Sequence, residues 1–310
     1  RRRQMCIRDS SLGEGTIENE LDYQYSNSQV NIFWVGNDTR QIDGYEVGLG
    51  TNSESPNIIE WTDVGETFNT EFEDLSLESG ATYFSFVRGY DLAGNISSFS
   101  VSDGITIDQH VPFGGNVFDN IVEDEDWTNI SYQITAIIQG FSDNLSGINE
   151  YFISVGINPG GTQITQGWQP IGLDTVSVLS IDLQEGPTYF INAYAVDLVG
   201  NQSEVVSSDG FGVDVTPPIS GSILDGNEAD LTWTNTDTVL SANWFDFSDA
   251  NSGVTRYEYS IGTSTGGLNI HPWTSLSSDF VTVEVQDLNL NNSSTYFFNL
   301  KAIDNAGNTS

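Results

Sequence analysis

The residue type most able to do chemistry in this chain is aspartate, which recurs inside repeated phrases. Asp91, Asp197 and Asp304 each open a D-x-x-G-N-x-S phrase, at spacings of 106 and 107 residues. Two more lie in similar segments, Asp143 in "FSDNLSG" and Asp249 in "FSDANSG". Carboxylate oxygens are the ligands that Ca²⁺ prefers in proteins. A metal site therefore depends on whether the fold brings several of these carboxylates to one point.

The sequence contains no recognisable catalytic constellation. Its two histidines, His110 and His271, do not recur and do not lie beside a Ser and an Asp in a known motif. The only cysteine, Cys6, lies in the opening segment "RRRQMCIRDS", so the rest of the chain has neither disulfides nor thiolate nucleophiles. No Gly-rich phosphate loop or metal-ligating His pair is present. We therefore predict that the chain is not an enzyme.

The charge balance limits the possible partners. Forty-four acidic residues oppose eight basic ones, which gives a formal net charge of −36. Such a field repels nucleic acids and anionic membrane surfaces, and it attracts divalent cations. No apolar run approaches the ~20 residues needed to span a bilayer. We therefore expect no nucleic-acid partner and no direct membrane insertion.

The first ten residues differ from the rest of the chain. They hold four of the eight basic residues together with the only Cys and the only Met. No apolar segment of the kind found in a secretion signal follows them. We therefore interpret residues 1–15 as a non-native or disordered leader.

Aromatic landmarks reveal an internal repeat. Tyrosines in "ATYF", "PTYF" and "STYF" are spaced by 106 and 107 residues, at positions Tyr83, Tyr189 and Tyr296. A second series is spaced by 106 residues, at Tyr45, Tyr151 and Tyr257. Several landmarks with one period predict three copies of one unit. The predicted repeats are 16–110, 111–216 and 217–310, the last truncated before its final strand.

The local patterns predict strands. The segment "TYFFNLKAI" alternates Tyr296, Phe298, Leu300 and Ala302 against its other residues, which is the two-residue period of a pleated strand. No segment shows a helical period of comparable strength. A unit of about 106 residues with roughly seven short strands fits the immunoglobulin-like size class. We therefore predict an all-β chain of three tandem Ig-like β-sandwiches, arranged as beads on a string.

A leucine lies six residues before each tyrosine of the first series, at Leu77, Leu183 and Leu290. This L-x₅-Y spacing resembles the tyrosine corner of fibronectin type III and related bacterial Ig-like domains, in which the Tyr hydroxyl bonds nearby backbone. Trp34 and Trp244 fit the strand-B tryptophan of such domains, whereas the second repeat has Ile138. The resemblance implies that D-x-x-G-N-x-S forms the hairpin between strands F and G, and that "SDG" lies in strand G.

Three tryptophans recur at nearly constant spacing and allow two interpretations. In one interpretation Trp61, Trp168 and Trp273 stack on carbohydrate; in the other they cover strand-F phenylalanines of the shared fold. Those phenylalanines are Phe84, Phe190 and Phe297. We favour the structural interpretation, because a residue kept in every copy more often serves the fold.

The resemblance also implies where the recurring aspartates meet. In such a sandwich strand G ends where the linker reaches the next unit, at the pole with that unit's B–C and F–G loops. An aspartate from the end of one strand G should therefore approach one aspartate in each of those loops. The residues concerned are Asp108, Asp143 and Asp197 at the first junction, and Asp214, Asp249 and Asp304 at the second. We predict a calcium site at each junction; the alternative is that these residues only shape loops and cap turns.

The leading functional hypothesis is a non-catalytic spacer or adhesion region of a large secreted or surface-anchored bacterial protein. Its partners would be a protein or glycan ligand at a cell surface and further repeats of the same parent chain. The alternative is an accessory, carbohydrate-binding region of an extracellular polysaccharide-degrading enzyme whose catalytic domain lies elsewhere. Both hypotheses place the chain outside the cell or at its surface.

Overall fold

The protein is described from a computed structural model, which covers residues 6–16, 19–37, 42–119 and 126–310. Every regular element in these ranges is a β-strand. Within the same ranges, no helix long and apolar enough to cross a membrane is present. The strands fall into three groups, and no ladder between described strands joins one group to another. The chain is therefore all-β, as the alternation of its apolar residues predicted.

The first group contains ten strands in two sheets. One sheet has the order β2-β1-β4-β7 and the other the order β3-β10-β8-β5-β6, with β9 also paired to β8. The strands are β1 (Cys6–Thr16), β2 (Asn19–Glu20), β3 (Tyr23–Gln24), β4 (Val30–Asn37), β5 (Ile42–Gly50), β6 (Ile59–Gly65), β7 (Asn69–Phe72), β8 (Thr82–Asp91), β9 (Ser100–Val101) and β10 (Ile105–Ile107).

The second group repeats this arrangement with nine strands. Its sheets have the orders β11-β13-β16 and β12-β19-β17-β14-β15, and β18 pairs with β17. The strands are β11 (Asn116–Phe118), β12 (Trp127–Thr128), β13 (Gln133–Gln139), β14 (Ile148–Gly156), β15 (Gln169–Gly172), β16 (Val176–Ser180), β17 (Thr188–Asp197), β18 (Val206–Ser207) and β19 (Phe211–Val213).

The third group has six strands, in the sheets β20-β21-β24 and β23-β22-β25. They are β20 (Ser222–Asp225), β21 (Leu240–Phe245), β22 (Val254–Gly262), β23 (His271–Ser277), β24 (Thr282–Val285) and β25 (Phe297–Asp304). In each group the inner faces of the two sheets enclose their own hydrophobic core. The groups are thus sandwich-like pairs of sheets.

Equivalent core residues occupy the same register in all three groups. Trp34, Ile138 and Trp244 are each at most 3% exposed, and each is paired with an apolar residue of the first strand of its group. In the first group that partner is Leu12, on β1. This strand begins at Cys6, so it includes residues that the sequence analysis assigned to the leader. Ile138 therefore fills the place of a tryptophan without disturbing the strand pairing.

The tyrosine corner is present in each group. In the second group the Tyr189 hydroxyl accepts the Gln184 N–H at 2.8 Å and donates to the Gln184 carbonyl at 3.0 Å. Both Tyr189 and Leu183 are 2% exposed. The hydroxyls of Tyr83 and Tyr296 accept backbone N–H groups in the same way. These hydrogen bonds fix the loop that precedes the tyrosine-bearing strand to that strand.

The D-x-x-G-N-x-S phrase forms the predicted hairpin. Its glycine has a positive φ in every copy, +94° at Gly200, which an L-residue adopts only at a cost. The "SDG" phrase, in contrast, does not lie inside one continuous strand. Gly210 stands between β18 and β19 with φ +103°, and a Cβ there would lie 2.8 Å from the Phe190 ring. The strand is interrupted at this glycine, whose positive φ lies outside the extended range, and the Phe190 ring occupies the space that a side chain would need.

The recurring tryptophans do not cover the phenylalanines for which they were predicted. Phe190 packs against Gly210, and the equivalent Phe84 packs against Gly104. The tryptophans instead contact the strand-F side chain that points outward four residues later. Trp61 lies under the Arg88 guanidinium at 4.0 Å, Trp168 contacts Tyr194 at 4.7 Å, and Trp273 lies under the Lys301 ammonium at 4.9 Å. Each tryptophan thus packs on an outward-pointing strand-F side chain across the intervening strand, which is β5, β14 or β22.

Replacement of the corner tyrosine tests this core. Tyr189→Phe should lower the free energy of unfolding of the second group by about 1–2 kcal/mol, because two hydrogen bonds are lost and the ring is kept. Tyr189→Ala should cost about 3–5 kcal/mol, because it opens a cavity. Tyr132→Phe is the control, since Tyr132 is 67% exposed. Differential scanning calorimetry measures all three; equal melting temperatures for Tyr189→Ala and the unsubstituted chain would contradict the assigned corner.

Candidate metal centres between the strand groups

Three aspartates meet where the first group is followed by the second. Asp108 directly follows β10, Asp143 lies in the loop after β13, and Asp197 ends β17. One carboxylate oxygen from each lies within 4.8 Å of the others. Asp108 is 0% exposed and Asp197 is 1% exposed. We call these three residues the first junction cluster.

The same arrangement occurs between the second and third groups. Asp214 directly follows β19, Asp249 lies in the loop after β21, and Asp304 ends β25. One carboxylate oxygen from each again lies within 4.8 Å of the others. Asp214 and Asp304 are 0% and 1% exposed. These residues form the second junction cluster, so the structure brings together both sets of three that the sequence analysis had grouped.

The first aspartate of each cluster connects two strand groups by hydrogen bonds. Asp108 Oδ2 accepts the Ser146 N–H at 3.0 Å, and Ser146 belongs to the following group. Asp214 Oδ2 accepts both the N–H of Ser252 at 3.0 Å and its hydroxyl at 2.5 Å. These bonds fix the end of one group's last strand to a loop of the next group.

The other two aspartates shape their own loops. Asp143 Oδ1 accepts the N–H groups of Leu145 and Gly147, both at 2.9 Å. Asp197 Oδ1 accepts those of Val199 at 3.0 Å and Asn201 at 2.8 Å. Such local bonds hold each carboxylate in a fixed orientation within its loop. Asp143 and Asp197 can therefore cap their own turns and at the same time belong to the first junction cluster.

Sequence reasoning missed the asparagine of the repeated phrase as a junction residue. Asn201 Nδ2 donates to Asp197 Oδ2 at 2.7 Å and also to the Asp108 carbonyl at 3.2 Å, across the junction. Asn308 Nδ2 does the same to Asp304 Oδ2 at 2.9 Å and to the Asp214 carbonyl at 2.7 Å. The recurrence of Asn in D-x-x-G-N was the available signal. It was assigned only to the hairpin.

No basic side chain described in the structure neutralises either cluster. Arg88, Arg256 and Lys301 all pair with glutamates, Glu46 or Glu258, on the sheet surfaces. Three carboxylates within 4.8 Å of one another therefore repel. The repulsion is about 3 kcal/mol for each pair at an effective dielectric constant of about 20. A cation bound among them removes this repulsion.

The serines beside the two clusters differ in their hydrogen bonds, and at the second cluster hydrogen bonding favours the charged form of Asp214. Burial by itself raises the pKa of Asp214, but hydrogen bonds from Ser252, Thr216 and Asn251 outweigh it and lower the pKa below its usual value. At the first cluster the Ser146 hydroxyl is buried and has no hydrogen-bond partner among the described residues. The equivalent Ser252 hydroxyl donates to Asp214. An oxygen beside the first cluster is thus left for a ligand or water.

The donor set determines what each cluster can bind. Three carboxylates supply up to six hard oxygens, and neither cluster contains a thiolate or an imidazole among the described residues. Such a set suits Ca²⁺, which takes six to eight oxygens in flexible geometry with water completing the shell. It offers no nucleophile and no general acid–base pair. The arrangement can hold a divalent cation between two strand groups.

A second unusual carboxyl group lies in the first group and was not singled out in the sequence. Glu14, on β1, is 0% exposed. Its Oε1 accepts the Ser85 N–H at 3.2 Å and the Ser102 hydroxyl at 2.5 Å, while Oε2 has no partner within the described part of the chain. Burial raises the pKa of Glu14, and the hydrogen bonds from Ser102 and Ser85 offset only part of that effect.

The chain is similar to part of one curated enzyme and to a solved multidomain structure. No protein-family model matches the chain. The chain is 23% identical over 289 residues to Exoglucanase B of Cellulomonas fimi, a match that covers 92% of this chain and 24% of that protein. The chain thus spans about a quarter of the length of this relative. A crystal structure of the FN1–FN3 domains of chicken CNTN1 matches with a TM-score of 0.37 and 16% identity, over 92% of this chain and 91% of that one.

The opposite pKa shifts of Glu14 and Asp214 predict opposite responses to pH. The pKa of Glu14 is raised, so its stabilising contribution is full below about pH 4 and is lost as the pH rises through its folded value. The pKa of Asp214 is lowered, so its contribution is present above about pH 4 and is lost as the pH falls through its folded value. Hydrogen-exchange protection factors, measured between pH 3 and pH 8, distinguish the effect of the Glu14 carboxyl on the first strand group from the effect of the Asp214 carboxyl on the second junction.

Glu14→Gln should remove the decline in protection of the first group between about pH 4 and pH 8, and it should raise protection at pH 7. Asp214→Asn should weaken the second junction most at neutral pH, since an amide cannot replace a carboxylate that accepts four hydrogen bonds. A first group whose protection is the same at every pH would contradict the assignment for Glu14.

Proposed function

We propose that the chain is a non-catalytic extracellular spacer, built of tandem fibronectin type III-like units whose junctions are stiffened by calcium. The units correspond to the three strand groups, within 16–110, 111–216 and 217–310, with the first strand beginning earlier at Cys6. One observation carries the proposal: two successive junctions present the same triad of converging carboxylates. A repeated triad at equivalent positions is explained by a shared role at the junction.

Calcium fits the triads better than other divalent cations. The donors are carboxylate oxygens alone, whereas zinc prefers sulfur and nitrogen ligands. Magnesium demands a near-ideal octahedron and gives up its water reluctantly, while calcium accepts the irregular arrangement that three independent loops provide. The net charge of −36 also raises the local concentration of cations around the chain.

The position of the triads determines the mechanical effect of the ion. Each triad takes one aspartate from the end of one group and two from the loops of the next. A cation bound to all three connects the groups directly and replaces repulsion by attraction. Without it, the bonds at the second junction made by Ser252 and Asn308 hold the groups against the carboxylate repulsion. The expected result is a rod that is stiff with calcium and flexible without it.

Addition of calcium should raise the melting temperature and lengthen the particle. We expect millimolar CaCl₂ to raise the melting temperature by several degrees relative to EDTA, since binding to the folded state alone stabilises it. Small-angle scattering should show a larger maximum dimension with calcium. Asp214→Ala should abolish the part of the calcium-induced change in melting temperature and maximum dimension that the second junction contributes. The part contributed by the first junction should remain.

Asp174→Ala is the matched control, because Asp174 is exposed and belongs to neither cluster. It removes one negative charge and should leave both responses to calcium intact. If calcium and EDTA give the same melting temperature and the same scattering curve, the proposal is wrong. A response that Asp174→Ala reduces as much as Asp214→Ala would indicate general charge screening instead of a bound ion.

A second candidate function rests on the comparison with Exoglucanase B. In this alternative the chain is an accessory region of an extracellular polysaccharide-degrading enzyme, and the recurring tryptophans contact the polysaccharide. Trp273 is the most favourable of them, with 38% of its surface exposed beside Lys301. A protein or glycan ligand at a cell surface is the partner common to this candidate and the spacer.

Binding to insoluble polysaccharide separates the two candidates. If the accessory role is correct, the chain should sediment with cellulose or another β-glucan, and Trp273→Ala should reduce the bound fraction at least about fivefold. Leu173→Ala is the control, because Leu173 is 61% exposed on another group. A bound fraction no higher than that of a non-binding protein on every polysaccharide tested would exclude the tryptophans as a glycan site.

A further inference from the structure

The two junction clusters differ at their first aspartate. Among the described residues, the Asp108 carboxylate accepts one hydrogen bond on each oxygen. Its Oδ1 accepts the His110 N–H at 3.0 Å, and its Oδ2 accepts the Ser146 N–H at 3.0 Å. An ionised carboxylate offers about four lone-pair sites. Half of the sites on Asp108 are therefore open to a cation.

The Asp214 carboxylate, in the same place at the second junction, is fully occupied. Its Oδ1 accepts the Thr216 N–H at 3.0 Å and the Asn251 side-chain amide at 3.3 Å. Its Oδ2 accepts both the N–H of Ser252 at 3.0 Å and the hydroxyl of that residue at 2.5 Å. Two donors on each oxygen fill the lone-pair sites. A cation that binds Asp214 must therefore displace at least one of these donors.

The serine of the neighbouring loop is bonded at one junction and free at the other. Ser146 is 6% exposed, and its hydroxyl has no hydrogen-bond partner among the described residues. Its N–H bonds Asp108, and in the equivalent loop the Ser252 hydroxyl reaches the aspartate itself. A buried hydroxyl without a partner is costly, and its oxygen is of the hard type that Ca²⁺ accepts as a ligand. The free serine oxygen is thus an observation, independent of the three carboxylates, that points to a ligand at the first junction.

Two amide side chains hold the second junction where the first has leucine. Asn251 takes the place of Leu145, and its Nδ2 bonds the aspartate across the junction. Asn305 takes the place of Leu198. The Asn305 Nδ2 donates to the Ser252 carbonyl at 2.6 Å and so fixes the loop that meets the junction. A leucine can make neither bond, so the first junction lacks both.

We propose that the two junctions respond to calcium at different concentrations: the first is a calcium-dependent hinge, and the second is a joint that hydrogen bonds hold without the ion. The inference rests on the calcium sites proposed above. Calcium fills the first site at lower concentration, because that site has open carboxylate lone pairs and a free serine oxygen. It fills the second site only when it displaces the Ser252 hydroxyl or the Asn251 amide. Without calcium, the chain bends mainly at the first junction.

A calcium titration followed by NMR reads each junction separately. The N–H groups of Gly147 and Gly253 donate to Asp143 Oδ1 at 2.9 Å and to Asp249 Oδ1 at 2.8 Å, so their resonances report on the two clusters. CaCl₂ is added to the full chain after removal of metal with EDTA. The Gly147 resonance should reach half of its shift at a calcium concentration at least about tenfold lower than the Gly253 resonance. Displacement of a hydrogen bond to a charged group accounts for a difference of this size.

The same substitution at the two serines should have opposite effects. Ser146→Ala removes a ligand oxygen, so it should raise the midpoint of the first junction at least about threefold. Ser252→Ala removes a donor that competes with the ion, so it should lower the midpoint of the second junction at least about threefold.

Exchange of loop residues provides the matched control. Leu145→Asn brings a competing amide to the first junction and should raise its midpoint. Asn144→Ala also copies a residue of the second loop, where Ala250 stands, but Asn144 is exposed. This control should leave the midpoint of the first junction unchanged.

Hydrogen exchange in EDTA tests the joint that is held without calcium. The amides of Ser146 and Ser252 each bond an aspartate of the preceding group. In EDTA the Ser252 amide should exchange at least about tenfold more slowly than the Ser146 amide, because more bonds hold its junction. Calcium should slow exchange at Ser146 more than at Ser252.

The outcomes distinguish this inference from the proposed function. If neither glycine resonance shifts at millimolar calcium, the calcium sites and the hinge are both wrong. Equal midpoints at the two junctions, or a higher second midpoint in Ser252→Ala, would overturn the unequal response and leave the calcium sites standing. Equal exchange of the two serine amides in EDTA would overturn the joint held by hydrogen bonds.

Discussion

Repulsion among buried carboxylates is the constraint on which the arrangement of the strand groups depends. At each junction three aspartates converge, two of them almost completely buried, and no described basic side chain approaches them. Isolated buried charges are costly unless they are paired or bind a metal. Hydrogen bonds to backbone N–H groups satisfy individual oxygens, but they do not cancel the net negative charge. A cation bound among the three carboxylates would cancel that charge, which is the role we propose for calcium.

The repeated phrases of the sequence each serve two tasks at once. In D-x-x-G-N-x-S the Asp caps the hairpin and faces the junction, while the Asn binds that Asp and the preceding group's backbone. In "SDG" the glycine both turns the strand and accommodates the strand-F phenylalanine. A residue with two tasks tolerates few replacements. This explains why short polar phrases mark the repeat as clearly as the aromatic core residues do.

Much of the fold could be predicted from the sequence because its signals are local or periodic. Alternation identified β25, and the L-x₅-Y spacing identified the Tyr189 corner, since both depend on a few neighbouring residues. The contacts of Trp61 with Arg88 and of Trp168 with Tyr194 were not predicted, because each joins side chains across the intervening strand β5 or β14 and so depends on the register of three strands. Burial of Glu14 was missed for the same reason. It results from packing of β1 against β8, residues far apart in sequence, and a lone acidic residue gives no sign of it.

The most direct test of the account is a count of bound ions. Isothermal titration of the calcium-free chain at pH 7 should give two calcium ions per chain. The variant with Asp108→Ala and Asp214→Ala should bind neither, and each single variant should bind one. A chain that binds no calcium at millimolar concentration, or binds two ions in all four forms, would contradict the assignment of the junction clusters as metal centres.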